Sequence, residues 1–263
     1  MMKERDRRFR ERGRRGWRAR GGVADRNSLS VLTYQMASDE KKIMGAVRTQ
    51  DLSVSWISES GMCEENTDRI CILTMANGQV RLTMQSASMN LKGIRLTKGH
   101  VCVFALFEPV SFDNADAEAA DKASEVFMNN IMTYDITKKP AEGVIKKCLS
   151  KAEKTVSKEF KNVNYKASVA AFAGKELTVC SVRGGRMFIL REDGKMLNIL
   201  SPDGIGITGT GTAWKNVMMV SEGYCVTDDE VRADMMSPAG DLITKRAMCS
   251  GPRPSSFIRA QKI

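Results

Sequence analysis

The chain predicts an α+β sandwich, and three observations carry that reading. Strand-like segments with period-two alternation or β-branched apolar runs occupy residues 51–107. Two long segments with helical periodicity follow, and strands then return before a helical tail. The elements come in blocks and do not alternate one strand with one helix, which argues against repeated βαβ units.

Residues 51–58 (Asp-Leu-Ser-Val-Ser-Trp-Ile-Ser) alternate polar and apolar, as a half-buried strand does. Arg69–Met75, Gln79–Met84 and Val101–Phe107 continue as β-branched and apolar strands. Ala115 to Met132 places Ala119, Ala123, Val126, Phe127 and Ile131 on one helical face. Ala141 to Phe160 does the same with Val144, Ile145, Leu149, Ala152 and Val156. Strands resume at Ala167–Phe172, Leu177–Val182 and Arg186–Leu190. The glycine-rich stretch Gly204–Gly211 lacks the Gly-Lys-Ser/Thr ending of a phosphate-binding loop, and we read it as a flexible surface loop. A strand at Val217–Ser221, helices at Asp228–Met236 and Asp241–Cys249, and an apolar stretch at Phe257–Ile263 complete the chain.

A length of 263 residues suits one large domain or two small ones. With 42% hydrophobic and 27% charged residues the composition is that of an ordinary globular protein. No apolar run approaches the ~18 residues of a membrane span, and the basic start lacks the apolar core of a secretory signal. The seven Cys are scattered without a C-x-x-C pair, mostly within apolar patterns. They predict a reducing compartment, cytoplasmic or nuclear, and no membrane association. Of the net charge of +10, residues 1–26 carry +7, so the basicity belongs to a segment and not to the domain. That segment has no hydrophobic periodicity and reads as a disordered basic arm. Its Arg7, Arg8, Arg10, Arg14, Arg15, Arg18 and Arg20 are candidates for contact with RNA or another polyanion, the alternative being a solvated tail. Residues 27–50 form a linker or lead-in, and 51–263 the folded domain.

Four segments in order resemble the metal-dependent (type 2C, PPM-type) Ser/Thr protein phosphatases across roughly four-fifths of the chain. Gly61–Asp68 (Gly-Met-Cys-Glu-Glu-Asn-Thr-Asp) is similar to the family's early Gly-x-Arg-x-x-x-Glu-Asp. Val103–Pro109 resembles the strand that ends in Phe-Asp-Gly-His-Gly. Glu176–Lys195 resembles the hairpin read as Leu-Thr-Val-Ala-Asn-Val-Gly-Asp-Ser-Arg-Ala-Val-Leu. Asn216–Met235, with Ser221-Glu222-Gly223 at its centre, resembles the strand–Ser-Asp-Gly–helix segment. The resemblance implies two mainly antiparallel sheets flanked by helices. It also implies a reaction in which two Mg²⁺ or Mn²⁺ ions activate a water against a phosphoserine or phosphothreonine.

The positions that carry this chemistry in the family are altered here. Cys63 stands at the phosphate-binding Arg, and Thr67 at the Glu of the Glu-Asp pair, of which only Asp68 remains. Asp-Gly-His-Gly becomes Glu108-Pro109-Val-Ser, which lengthens the carboxylate by ~1.5 Å against a tolerance of ~0.5 Å and removes a Gly whose carbonyl the family uses as a ligand. Gly-Asp-Ser becomes Arg183-Gly184-Gly185, losing a carboxylate and adding a cation, and the terminal Asp-Asn falls on Pro254-Ser255. Asp68, Glu108 and Glu222 are left as metal candidates, open to three readings: turn carboxylates, one residual metal, or a working pair. His100 is the only His, so neither a His-based triad nor a zinc site is available.

The expectation is a catalytically inactive pseudophosphatase that acts as a protein-interaction or regulatory module. It needs no cofactor, holds Mg²⁺ or Mn²⁺ weakly if at all, and partners a kinase, a phosphoprotein or a larger assembly. The rival is a divergent, active metal-dependent phosphatase. A third expectation is an assembly component tethered to RNA through residues 1–26.

Overall fold

The computed structural model describes residues 32–36, 42–48, 51–60, 66–76, 79–84, 99–111, 113–137, 141–161, 164–199, 205–223, 227–237 and 254–263. The arm 1–26, the loop with Cys63, the residues Cys225 and Cys249, and the helix expected at Asp241–Cys249 lie outside them.

The elements run β1 (Leu32–Met36), β2 (Lys42–Arg48), β3 (Leu52–Glu59), β4 (Arg69–Ala76), β5 (Gln79–Met84) and β6 (Val101–Pro109). Two helices follow, α1 (Asn114–Ile131) and α2 (Ala141–Glu159), then β7 (Tyr165–Ala173), β8 (Glu176–Val182), β9 (Arg186–Arg191) and β10 (Met196–Ile199). β11 (Ile205–Gly211), β12 (Trp214–Val220), α3 (Asp228–Met236) and β13 (Ser255–Lys262) complete the order. A seven-stranded sheet has the order β1-β5-β4-β6-β7-β8-β11, and a six-stranded sheet the order β10-β9-β12-β13-β3-β2. β1 lies parallel to β5, and the other pairings are antiparallel.

Successive residues of a strand face opposite ways, so each strand can serve two apolar layers. In β6, Val101, Val103, Ala105 and Phe107 pack with α1 and α2, while Cys102, Phe104 and Leu106 join the layer shared with the other sheet. From the six-stranded sheet, Leu52, Val54, Trp56, Val217, Met219, Ile258 and Ala260 enter that shared layer. The opposite faces of the same strands, through Ile57, Met218, Val220 and Phe257, pack against Val231 and Met235 of α3. The result is a sandwich with α1 and α2 outside one sheet and α3 outside the other.

The helices form as their periodicity predicts. Ala119, Ala123, Phe127 and Ile131 of α1 are buried, with Val126 partly so, and α2 buries Val144, Ile145, Leu149, Ala152 and Val156. Asp113 caps α1 by accepting from the Asp116 amide. α3 opens on a reciprocal capping box between Thr227 and Glu230. Cys71, Cys102, Cys148 and Cys180 are buried free thiols, and burial pushes them up, the Cys102, Cys148 and Cys180 thiols to about 12.

Three stretches differ from expectation. Gly204–Gly211 contains edge strand β11, antiparallel to β8 with an irregularity between Gly209 and Gly211; here pairing along an edge outweighs the low strand propensity of glycine. β10 pairs with β9 across a turn in which Gly194 has φ 81°. Within the segment read as a linker or lead-in, β1 and β2 extend the outer edges of the two sheets.

Candidate functional site

The inter-sheet layer changes from apolar to polar at one end of the sandwich. Continuing each strand's inward alternation by two residues gives Ser58 after Trp56, Glu108 after Leu106 and Ser221 after Met219. Running the other way, it gives Asp68 before Ile70, Lys166 before Ser168 and Ala170, and Ser256 before Ile258. Register brings these positions together. Glu108 stands opposite Lys166 between β6 and β7, and Ser256 opposite Ser58 between β13 and β3. Arg69 opposite Phe107 places Asp68 at the level of Glu108.

Asp68 is 3% exposed, and the Ser256 and Ser221 hydroxyls lie beside its carboxylate. Its Oδ2 is buried without a hydrogen-bond partner. The serines are held by their own network. Ser58 Oγ lies 2.5 Å from Ser256 Oγ, and Asn66 Nδ2 donates to Ser58 Oγ at 2.8 Å. The Ser256 amide donates to Ser221 Oγ at 2.8 Å, and the Ser221 amide to the Ser256 carbonyl at 2.9 Å.

Glu108 is 4% exposed and accepts from the Glu222 amide at 2.8 Å. The Glu222 carboxylate itself turns outward, its side chain 52% exposed, to meet Lys166 Nζ at 2.6 Å. Burial pushes the Glu108 carboxyl up to about 8, and the neighbouring Asp68 adds to the rise. Burial raises Asp68 as well, against the Ser256 and Ser221 hydroxyls and Arg69, which lower it. Two carboxyls removed from water this close together cannot both ionise cheaply, so the pair retains a proton near neutral pH.

Of the sequence candidates, Asp68 and Glu108 meet as a buried pair, and Glu222 joins them through its backbone while its side chain is given to Lys166. Thr67 Oγ1 is buried without a hydrogen-bond partner, and Pro109 is half-buried opposite Tyr165. Pro254 is buried just before β13 and offers no carboxylate. Gly184 lies in the β8–β9 turn with φ 85°, beside Arg183 at φ 48°. The cation introduced there is committed elsewhere: both Arg183 amino nitrogens fork onto the Glu153 carboxylate of α2, at 2.7 and 2.5 Å. Gly185 is required at this turn, because a Cβ would stand 2.2 Å from the Ala167 carbonyl oxygen.

Lys166, Ser58, Asn66 and Ser256 are site residues that the sequence reading did not single out. The inward alternation from Ala170, Trp56 and Ile258 was the available signal for three of them.

The residues present do not fit a divalent-metal centre. Mg²⁺ and Mn²⁺ take near-octahedral oxygen ligands and are anchored in proteins by ionised carboxylates. Here a lysine holds one of the three carboxylates, and burial disfavours the ionised form of the other two. Among the described residues, no three His, Cys, Asp or Glu side chains are grouped to hold a metal ion.

The sequence matches no protein-family model and no curated protein. Solved structures do match. RsbX in complex with magnesium superposes with a TM-score of 0.58 at 11% identity, covering 84% of this chain and all of that one. The serine/threonine phosphatase PstP of Mycobacterium tuberculosis gives 0.56 at 12%, over 80% of this chain and 98% of that one. The PstP catalytic domain has also been seen with two manganese ions. PppA of Pseudomonas aeruginosa, a key regulatory component of T6SS, gives 0.56 at 11%, over 83% and 100%. The chain has the fold of the PPM-type Ser/Thr phosphatases, as the four sequence segments implied.

Proposed function

We propose that this chain is a catalytically inactive PPM-type pseudophosphatase that works as a protein-interaction or regulatory module. The observation that carries the reading is the set of groups around Asp68. Serine hydroxyls from β13 and from the residue after β12 lie beside a buried carboxylate where the reaction needs ionised oxygens. A hydroxyl is a neutral, weaker ligand than a carboxylate, and a protonated Glu108 cannot bridge two cations. What remains is a group of polar side chains at adjoining strand ends, which can serve recognition without turnover.

In this reading residues 51–263 form the phosphatase-like domain, 27–50 lead into it, and 1–26 are a basic arm able to add polyanion contacts. The partner is a protein, and PppA, a key regulatory component of its own system, offers a parallel. Among the described residues no helix is long and apolar enough to cross a membrane, and the address we propose is cytoplasmic or nuclear.

The purified protein is expected to hydrolyse neither p-nitrophenyl phosphate nor phosphopeptides above blank in millimolar Mn²⁺. Turnover that disappears in a Glu108→Ala variant would overturn the reading in favour of a divergent active phosphatase.

A further inference from the structure

Resting on that reading and taking it further, we propose that the Lys166 ammonium is the resident cation of the cleft: it holds the Glu222 carboxylate away from the Asp68–Glu108 pair and so closes the site to divalent metal.

The geometry supplies the argument. β7 places Lys166 directly opposite Glu108 in register, on the inward face, with its side chain 21% exposed. Its Nζ is 2.6 Å from Glu222 Oε2, a charge-assisted contact at the mouth of the site. The Glu222 backbone is already at the centre, since its amide donates to Glu108 Oε2 at 2.8 Å. The Glu222 carboxylate, half exposed, is engaged by Lys166 at the mouth, while the backbone of the same residue faces Glu108. Deeper in the cleft, Asp68 Oδ2 is buried and accepts no hydrogen bond, an oxygen still available to a cation. Three carboxylates with one ammonium among them carry less net negative charge than three alone. A divalent ion entering would face that ammonium at contact range and would have to displace it.

A lysine in this place acts differently from the loss of a ligand. Loss removes affinity irreversibly, whereas a bound ammonium competes, and its removal should restore affinity without any carboxylate being added. The side chain also makes the cleft responsive to chemistry at a single nitrogen, because a neutral group there would free Glu222.

The test is Mn²⁺ binding to the full chain, followed by calorimetry and by the electron-paramagnetic signal of free Mn²⁺, for wild type, Lys166→Gln, Lys166→Met and Lys166→Arg. Lys166→Met keeps the aliphatic stem and serves if Lys166→Gln does not fold, with circular dichroism recorded for each. We expect the two neutral variants to bind Mn²⁺ at least tenfold more tightly than wild type. Lys166→Arg should stay at the wild-type level, and Lys166→Gln/Glu222→Gln should lose the gain. Equal affinity in wild type and both neutral variants would overturn the inference, and so would a gain that survives Glu222→Gln. Neither result touches the pseudophosphatase reading, which stands or falls on wild-type turnover.

Discussion

Arg259 and Asp68 are both buried charges of this sandwich, 1% and 3% exposed, yet their surroundings differ in kind. Arg259, on the outward face of β13, lies under α3 and makes three side-chain hydrogen bonds. Its Nη1 donates to the carbonyls of Asp234 and Ser237, and its Nη2 to Gln261 Oε1. A cation at a helix C-terminus meets the negative end of the helix dipole as well as the unpaired carbonyls of the last turn. Asn216 reinforces the same end by donating to the Met235 carbonyl at 2.9 Å. Burial lowers the Arg259 guanidinium, and Asp234 opposes the shift. Asp68, on the inward side, shares its cleft with a second carboxyl and keeps one oxygen without a partner. The first arrangement is a structural lock. The second is an unsatisfied site that a packed core alone does not explain, because unpaired buried charge costs stability.

The sharpest way to break this contrast is at Arg259. Replacing it by Ala removes the buried donor to the Asp234 and Ser237 carbonyls and the cation beside Asp234, so Arg259→Ala is expected to lower unfolding stability by about 3–5 kcal/mol in urea titrations. A loss below ~1 kcal/mol would mean that the lock is ornamental and that the two buried charges do not differ.

A smaller, pH-dependent effect belongs to Glu108. Its folded value of about 8 lies above the ordinary 4.5, so the folded state holds this proton more tightly. Stability from this group is greatest below about pH 4.5 and is lost as pH rises through about 8, with a slope of at most ~1.4 kcal/mol per unit. In Glu108→Gln that decline should flatten while the acid side is unchanged. If wild type and variant show parallel melting profiles between pH 5 and 8, the carboxyl is ionised throughout and the cleft is open to cations.

The smallest effect is expected at Asp68. Asp68→Asn removes a charge that is incompletely paired, keeps the shape, and should raise unfolding stability by ~1 kcal/mol or leave it unchanged. A drop of more than ~2 kcal/mol would show that the Asp68 charge is as well satisfied as that of Arg259, and the contrast would disappear.

Much of this architecture was legible before any coordinates. A period-two run marked β3 and a β-branched apolar run β4, helical periodicity marked the buried faces of α1 and α2, and the helix expected at Asp228–Met236 is α3. These signals are local, and the burial that enforces them repeats every two or 3.6 residues. β11 escaped because its glycines have no strand propensity of their own; only an edge partner, β8, makes them extended. Asp68, Glu108 and Glu222 were named from motifs, each in its own segment.

The sequence by itself determined which residues could form strands and helices, how charge divides between the first 26 residues and the rest, and which carboxylates survive at the strand ends. Tertiary structure alone decided what those carboxylates meet. Ser58 and Ser256 touch across 198 positions of chain, and Lys166 reaches Glu222 across 56. No local pattern specifies such pairs, because serine and lysine are unremarkable residues in any strand. Their meeting depends on the register of several strands and on the packing of two sheets. Both are set by the apolar layer between the sheets, since a slip of one residue would turn Lys166 and Glu108 out of the cleft and expose the core.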